Sequence, residues 1–196
     1  MPLAPNATAD PKKELRATLL ARRRALPEET RARAAGEAAE IFLDAVRPPA
    51  GEPVAGYWPM RGELDPRPLM ARLAGRGHPL LLPAVAGEGR PLTFREWREG
   101  EALTAGPFGT REPPADAPEG APGLIIVPLL AFDGAGYRLG YGKGFFDMTL
   151  AELRRRPGVI AVGFAYEAQR AERLPRDDWD QPLDWIVTEH KARKIR

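Results

Sequence analysis

Apolar residues recur along this chain with two alternating periods. From Pro11 to Leu26 the run PKKELRATLLARRRAL sets Leu15, Leu19 and Leu26 on one helical face, with Asp10 as the expected N-cap and Pro11 at the first helical position. A second helix is predicted from near Pro27, with Glu28 and Glu29 in its first turn. Ala32, Ala35, Ala39, Phe42 and Val46 make its buried stripe, and Pro48-Pro49 stops it. Val54 to Trp58 reads as a strand, Asp65-Pro66 opens a helix that ends near Gly75, and Pro79 to Leu82 reads as a short buried strand. Pro91 to Trp97 alternates as an edge strand does. Gly100 to Gly123 carries no usable period and is rich in Pro and Gly, the composition of a long irregular segment. Leu124 to Val127 is a continuous apolar run, the mark of a strand buried on both faces, and Pro128 ends it. A helix from about Gly144 to Arg155, a strand from Val159 to Ala165 and a last strand from Trp185 to Thr188 complete the pattern.

Strands alternating with helices around one central apolar strand predict a three-layer α/β/α single domain with a mostly parallel central sheet. The expected limits are a flexible leader over 1–9, the domain over 10–190, and a solvated basic tail over 191–196. A linker between two domains is the other reading of 100–123. It is disfavoured because neither side holds a complete set of strands and helices.

Composition narrows the chemistry more than the fold. Lys plus Arg number 29 against 27 Asp plus Glu, a net charge of +2, too small an excess to argue for nucleic acid. There is no Cys and no Ser, and the only histidines are His78 and His190. Disulfides, thiolate metal sites and a Ser-His triad are therefore excluded, and a histidine metal centre is disfavoured. Carboxylates, Lys, Arg and Thr remain, together with whatever a bound cofactor supplies. No apolar run approaches the length of a membrane span, and the N-terminus lacks the pattern of a signal peptide, so cytoplasmic residence is the expectation.

The most distinctive stretch is Arg138-Leu139-Gly140-Tyr141-Gly142-Lys143-Gly144-Phe145-Phe146-Asp147. Glycines at alternate positions let backbone N–H groups approach an anion, and the helix that follows adds the positive end of its dipole. Arg138 and Lys143 bracket the loop with positive charge. Asp147 falls in the first helical turn, where a carboxylate can hold Mg²⁺ bridging phosphate oxygens. No Ser or Thr follows Lys143, so this is no Walker A loop, and GxGxG is not the dinucleotide spacing. A phosphate site is favoured over a plain tight strand-to-helix turn.

RLGYGKGFFD, preceded by VPLLAFD and followed by a helix, closely resembles the signature of the 5-formyltetrahydrofolate cyclo-ligase family. The resemblance extends roughly from Lys12 to Thr188, with Gly109-x-x-Glu112-Pro113 similar to the bacterial members. It implies an ATP- and Mg²⁺-dependent cyclisation of 5-formyltetrahydrofolate to 5,10-methenyltetrahydrofolate. It implies Lys12 and Arg16 as nucleotide contacts on the first helix, with Arg138, Leu139, Gly140, Tyr141, Gly142, Lys143, Gly144, Phe145 and Phe146 as the nucleotide loop. Lys143 and Arg138 are the expected catalytic residues. Trp58, Glu63, Tyr141 and Lys143 are the expected substrate contacts, and Asp147 and Asp180 the expected metal ligands. Read alone, the Lys12/Arg16 pair is a solvated stripe, Glu63 a surface charge and Asp180 a turn former. Phe145-Phe146 stand where Tyr-Tyr is commoner, and Tyr141 replaces a basic residue found in some relatives. Small-molecule substrates, a monomer, and no nucleic-acid or membrane partner are expected. A sugar-phosphate isomerase on a similar sheet and a non-catalytic nucleotide- or RNA-binding module stay open as rivals.

Overall fold

The computed structural model describes residues 11–196. The expected leader and the Asp10 cap lie outside the described residues. Among the described residues there are four α-helices: α1 (Pro11–Arg24), α2 (Glu28–Ala45), α3 (Arg67–Gly75) and α4 (Phe145–Leu153). The central sheet contains β1 (Val54–Ala55), β2 (Leu80–Val85), β3 (Leu92–Glu96), β6 (Leu124–Val127), β9 (Ile160–Phe164), β10 (Trp185–Val187) and β11 (Ala192–Lys194). Two hairpins sit outside it: β4 (Thr104–Ala105) with β5 (Arg111–Glu112), and β7 (Ala131–Phe132) with β8 (Arg138–Leu139).

Strand order is β11-β10-β9-β6-β1-β2-β3. The five inner strands are parallel, and β3 and β11 close the two edges antiparallel. Period-two alternation in β6 sorts its side chains between two cores. Leu124 and Ile126 join α2 and α3 on one face, and Ile125 and Val127 join Leu150 of α4 on the other. The mostly parallel three-layer α/β/α expectation therefore holds. Phe42 of α2 is fully buried in the first core. Phe42→Ala is expected to destabilise the fold by about 3–5 kcal/mol through lost transfer energy and a residual cavity. A thermal melt checks this, with a midpoint roughly 10 °C lower.

Several expected boundaries shift. Ala32 is exposed, and the buried face of α2 is instead Ala34, Ala35, Ala38, Ala39, Phe42 and Leu43. That face is wide because α2 touches both α3 and the sheet. The first strand pairs only over Val54–Ala55, because Tyr57 and Trp58 leave the sheet to wall the cleft described below. The segment 100–123 is not wholly irregular: the β4/β5 hairpin folds around a 3-10 turn at Pro107–Gly109, fastened by Thr110 Oγ1 donating to Glu112 at 2.7 Å. Nor is 191–196 a loose tail. Ala192–Lys194 pair with β10, and Arg193 and Arg196 reach Glu167 and Asp184. A basic edge strand of this kind discourages further pairing.

Helix α1 lies apart from both layers. Leu19 packs with Leu130, Ala131, Leu139 and Leu174 around the β7/β8 hairpin, in a third and smaller core. The helix thus spans the carboxyl ends of the parallel strands, where α/β sheets place their ligands.

Candidate active site

A cleft with about 1250 Å³ of empty space, open solvent at its mouth included, runs along those strand ends. Residues following β1 and β6 and the end of β2 itself form its floor: Tyr57 and Trp58, Pro128, and Pro83 and Val85. All the residues nominated from the sequence line this one cleft: Lys12, Arg16, Trp58, Glu63, the whole of Arg138 to Asp147, and Asp180.

The glycine loop forms one end. Gly142 and Gly144 hold φ of +94° and +68°, in the left-handed region that a Cβ disfavours. Gly144 is also the residue from which α4 departs. Among the described residues, no backbone N–H from Gly140 to Phe146 donates to a protein acceptor. These are unspent donors at a helix start, a ready anion cradle. A Cβ on Gly142 would stand 3.0 Å from the Arg16 guanidinium carbon, and Arg16 Nε donates to the Gly140 carbonyl at 3.0 Å. Helix α1 is thereby tied to the loop.

Lys143 is half-exposed and bridges to Glu88 at 2.7 Å, with its ammonium 5.0 Å from the Phe108 ring centre. The hydrogen bond from Lys143 holds the Glu88 carboxyl below its ordinary range. The Arg138 side chain is 5% exposed and donates to Asp147 Oδ1 at 2.8 Å and to the Gln181 carbonyl. Burial lowers the Arg138 pKa from its usual value, while Asp147 and Asp180 oppose that. In this arrangement Arg138 therefore orients Asp147.

Asp147 receives both its hydrogen bonds, from Arg138 and the Gln181 N–H, on Oδ1. Asp180 receives Lys12 at 3.2 Å and the Asp177 N–H at 2.9 Å, both on Oδ2. Each carboxylate thus keeps one oxygen without a protein donor among the described residues. Burial works against the Lys12 charge, but its bonds to Asp177 and Asp180 outweigh it and raise the pKa. No group of three or more Asp, Glu, His or Cys gathers as a metal centre among the described residues. Two carboxylates beside a phosphate cradle suit Mg²⁺, which takes hard oxygens, keeps several waters and completes its shell from phosphates. The residues present fit that ion.

Glu63 forms the other end and is buried, not a surface charge. Its loop folds onto itself: the Glu63 N–H donates to the Met60 carbonyl at 3.0 Å, and the Met60 N–H donates to Glu63 Oε2 at 3.0 Å. Arg61 within that turn takes a φ of +51°, a strained value for a residue with a Cβ. Tyr141 donates to Glu63 Oε1 at 3.0 Å. Burial pushes the Glu63 carboxyl up, against the pull of Arg23, the Met60 N–H and Tyr141. The same burial raises Tyr141 to about 12.

Sequence reasoning missed four contributors. Arg23 is buried beneath Tyr141, and Glu88 holds Lys143. Phe108 and Trp179, 48% and 56% exposed, are the large apolar side chains most open to solvent among the described residues, and both line the cleft. Single surface aromatics are ordinary; two on one cleft suit the flat faces of a ligand. His78 is buried away from the cleft with Nδ1 3.0 Å from the Glu52 carbonyl.

Fold and cleft together define an α/β enzyme that takes small ligands at the carboxyl ends of a parallel sheet. The 5-formyltetrahydrofolate cyclo-ligase family matches residues 8–189. The 5-formyltetrahydrofolate cyclo-ligase of Escherichia coli K12 is 34% identical over 179 residues, 87% of this chain and 96% of its own. That of Mycolicibacterium smegmatis is 34% identical over 185 residues, covering 90% and 93%. The solved structure of Aquifex aeolicus 5,10-methenyltetrahydrofolate synthetase superposes with a TM-score of 0.78 at 37% identity, covering 94% of this chain and 93% of that one. The chain belongs to the 5-formyltetrahydrofolate cyclo-ligase family. No helix among the described residues is long and apolar enough to cross a membrane.

Proposed function

We propose that this chain converts 5-formyltetrahydrofolate to 5,10-methenyltetrahydrofolate at the cost of ATP, with Mg²⁺ at Asp147 and Asp180. The observation that carries this reading is the meeting, in one cleft, of an unspent amide cradle and a buried carboxylate, with Tyr141 reaching from the first to the second. A phosphate donor fits one end and a pterin the other.

The substrates supply both nucleophiles, which agrees with a cleft lined by no Cys, Ser or His. The formyl oxygen attacks the γ-phosphorus and ADP departs, leaving an N5-iminium phosphate. N10 then attacks the formyl carbon and gives up its proton, and phosphate leaves with the former formyl oxygen. The protein's work is to hold two ligands in line and to neutralise phosphate charge. The amides from Gly140 to Phe146 cradle the triphosphate. Lys143 exchanges Glu88 for the transferring group. Arg138 fixes Asp147, Lys12 fixes Asp180, and Arg16 braces the loop from α1. Bound Mg²⁺ supplies charge neutralisation to the phosphate oxygens. Glu63 anchors the pterin or orients N5, with Trp58 beside it.

The test follows the absorbance of the methenyl product from 5-formyltetrahydrofolate, with ATP or Mg²⁺ each left out in turn. Product is expected only with both present. Equal product without ATP would refute the reading, and turnover of a sugar phosphate instead would favour an isomerase.

A further inference from the structure

We infer that Arg23, outside the residues nominated above, is a positioning residue: through the Tyr141 hydroxyl it fixes the direction of the hydrogen bonds that make Glu63 an acceptor for substrate. This rests on the reading of Glu63 as the folate anchor.

Arg23 is 1% exposed and heads the fully buried side chains by volume. No carboxylate among the described residues bonds to it. Its Nη1 donates to the Leu129 carbonyl at 3.1 Å, and its Nη2 donates to the Arg61 carbonyl at 3.2 Å and to the Tyr141 hydroxyl oxygen. Its Nε has no partner among the described residues. Burying a cation on neutral acceptors, two carbonyls and one phenol oxygen, is costly.

The donor count explains the arrangement. A guanidinium can only donate. With Arg23 donating to the phenol oxygen, the single Tyr141 hydrogen points onward, and it lands on Glu63 Oε1 at 3.0 Å. The Met60 N–H, also only a donor, occupies Oε2 at 3.0 Å. Both Glu63 oxygens therefore accept, which a carboxylate does and a carboxylic acid does only in part. Each keeps a lone pair for an N–H of the pterin. Without Arg23 the phenol is free to turn and accept, and a protonated Glu63 becomes compatible with the same contact.

The groups around Glu63 come from every element that packs on it. They are Arg23 from α1, Arg31 from α2 (it packs against Gly62), Arg61 and Asp65 from its own loop, Tyr57 after β1, Tyr141 from the glycine loop, and Tyr166, which donates to the Glu63 carbonyl at 3.3 Å. The sign is fixed by burial. The Glu63 carboxyl already lies above its ordinary value and Arg23 opposes the rise, so losing Arg23 moves it further up.

The experiment compares wild type with Arg23→Gln, Arg23→Lys and Tyr141→Phe. The Glu63 carboxyl is titrated by carbon-13 NMR in the ligand-free protein, with Glu63→Gln used to assign the resonance. The midpoint is expected to rise by about one pH unit, a tenfold change in the protonation constant, in Arg23→Gln and in Tyr141→Phe. Arg23→Lys, which keeps a donor-only cation, recovers much of it. In turnover, the acid limb of kcat/KM for 5-formyltetrahydrofolate moves up in parallel, while KM for ATP stays in place. Tyr141→Phe retains the Arg23 bonds to Leu129 and Arg61, so it serves should Arg23→Gln fail to fold. An unmoved Glu63 midpoint in the folded variants overturns the proposal. So does a loss of turnover that is equal at all pH and spread over both KM values. A wild type that fails to turn over 5-formyltetrahydrofolate overturns the functional reading alone, because the titration needs no substrate.

Discussion

Lys143→Ala lowers turnover of 5-formyltetrahydrofolate roughly 100- to 1000-fold, the usual cost of removing one preorganised charge from a developing anion. The fold survives. The Lys143 side chain is 45% exposed and its partner Glu88 is more so, and such surface pairs contribute little to stability. The loss therefore falls on kcat, with circular dichroism and the melt unchanged. Glu88→Gln is the companion variant. If Glu88 competes with phosphate for Lys143, releasing the lysine leaves turnover intact and lowers KM for ATP. Near-normal turnover in Lys143→Ala would remove this residue from the mechanism and leave the amide cradle to act alone.

Asp147→Asn isolates the metal from the scaffold. Asparagine has the same shape and keeps an oxygen for Arg138 and for the Gln181 N–H, which both bond Oδ1 at 2.8 and 3.0 Å. What disappears is the charge on the remaining oxygen. Turnover is expected to fall by about two orders of magnitude, the scale of one lost electrostatic contact at a transferring group. Raising Mg²⁺ should recover part of it, and calorimetry should show weaker binding of MgATP but not of 5-formyltetrahydrofolate. A wild-type response to Mg²⁺ would mean that Asp147 serves only to hold Arg138.

The parallel sheet and the cleft were legible because their determinants are local. Leu124 to Val127 is apolar throughout since both its faces are covered, and the glycine loop declares itself by spacing. Glu63 was nominated through resemblance, but its burial was invisible: the turn that encloses it is closed by its own carboxylate and by Tyr141, far away in sequence. Ala192–Lys194 carry no alternation, so β11 exists only because β10 offers an open edge. The 104–112 hairpin depends on the Thr104 and Thr110 hydroxyls, which donate to the Glu112 carbonyl and carboxylate and which no period records. Arg23 left a trace that periodicity could have found. Lys12, Arg16, Leu19 and Arg23 step by four, three and four along one face, and Leu19 at its centre is buried. Arg22-Arg23-Arg24 is a run of three arginines, and composition alone does not single out the middle one.

Helix α1 bears Lys12, Arg16 and Arg23, yet its apolar anchorage is the small cluster around Leu19 and not the two large cores. Segments held by few apolar contacts open at lower free energy than the body they rest on. Warming or mild urea would then silence this catalyst while its sheet is still whole. Hardening it for storage is thus a matter of reinforcing the seat of one helix, at Leu15 and Leu20, where side chains are still partly open, and further filling of the interior would be effort misplaced.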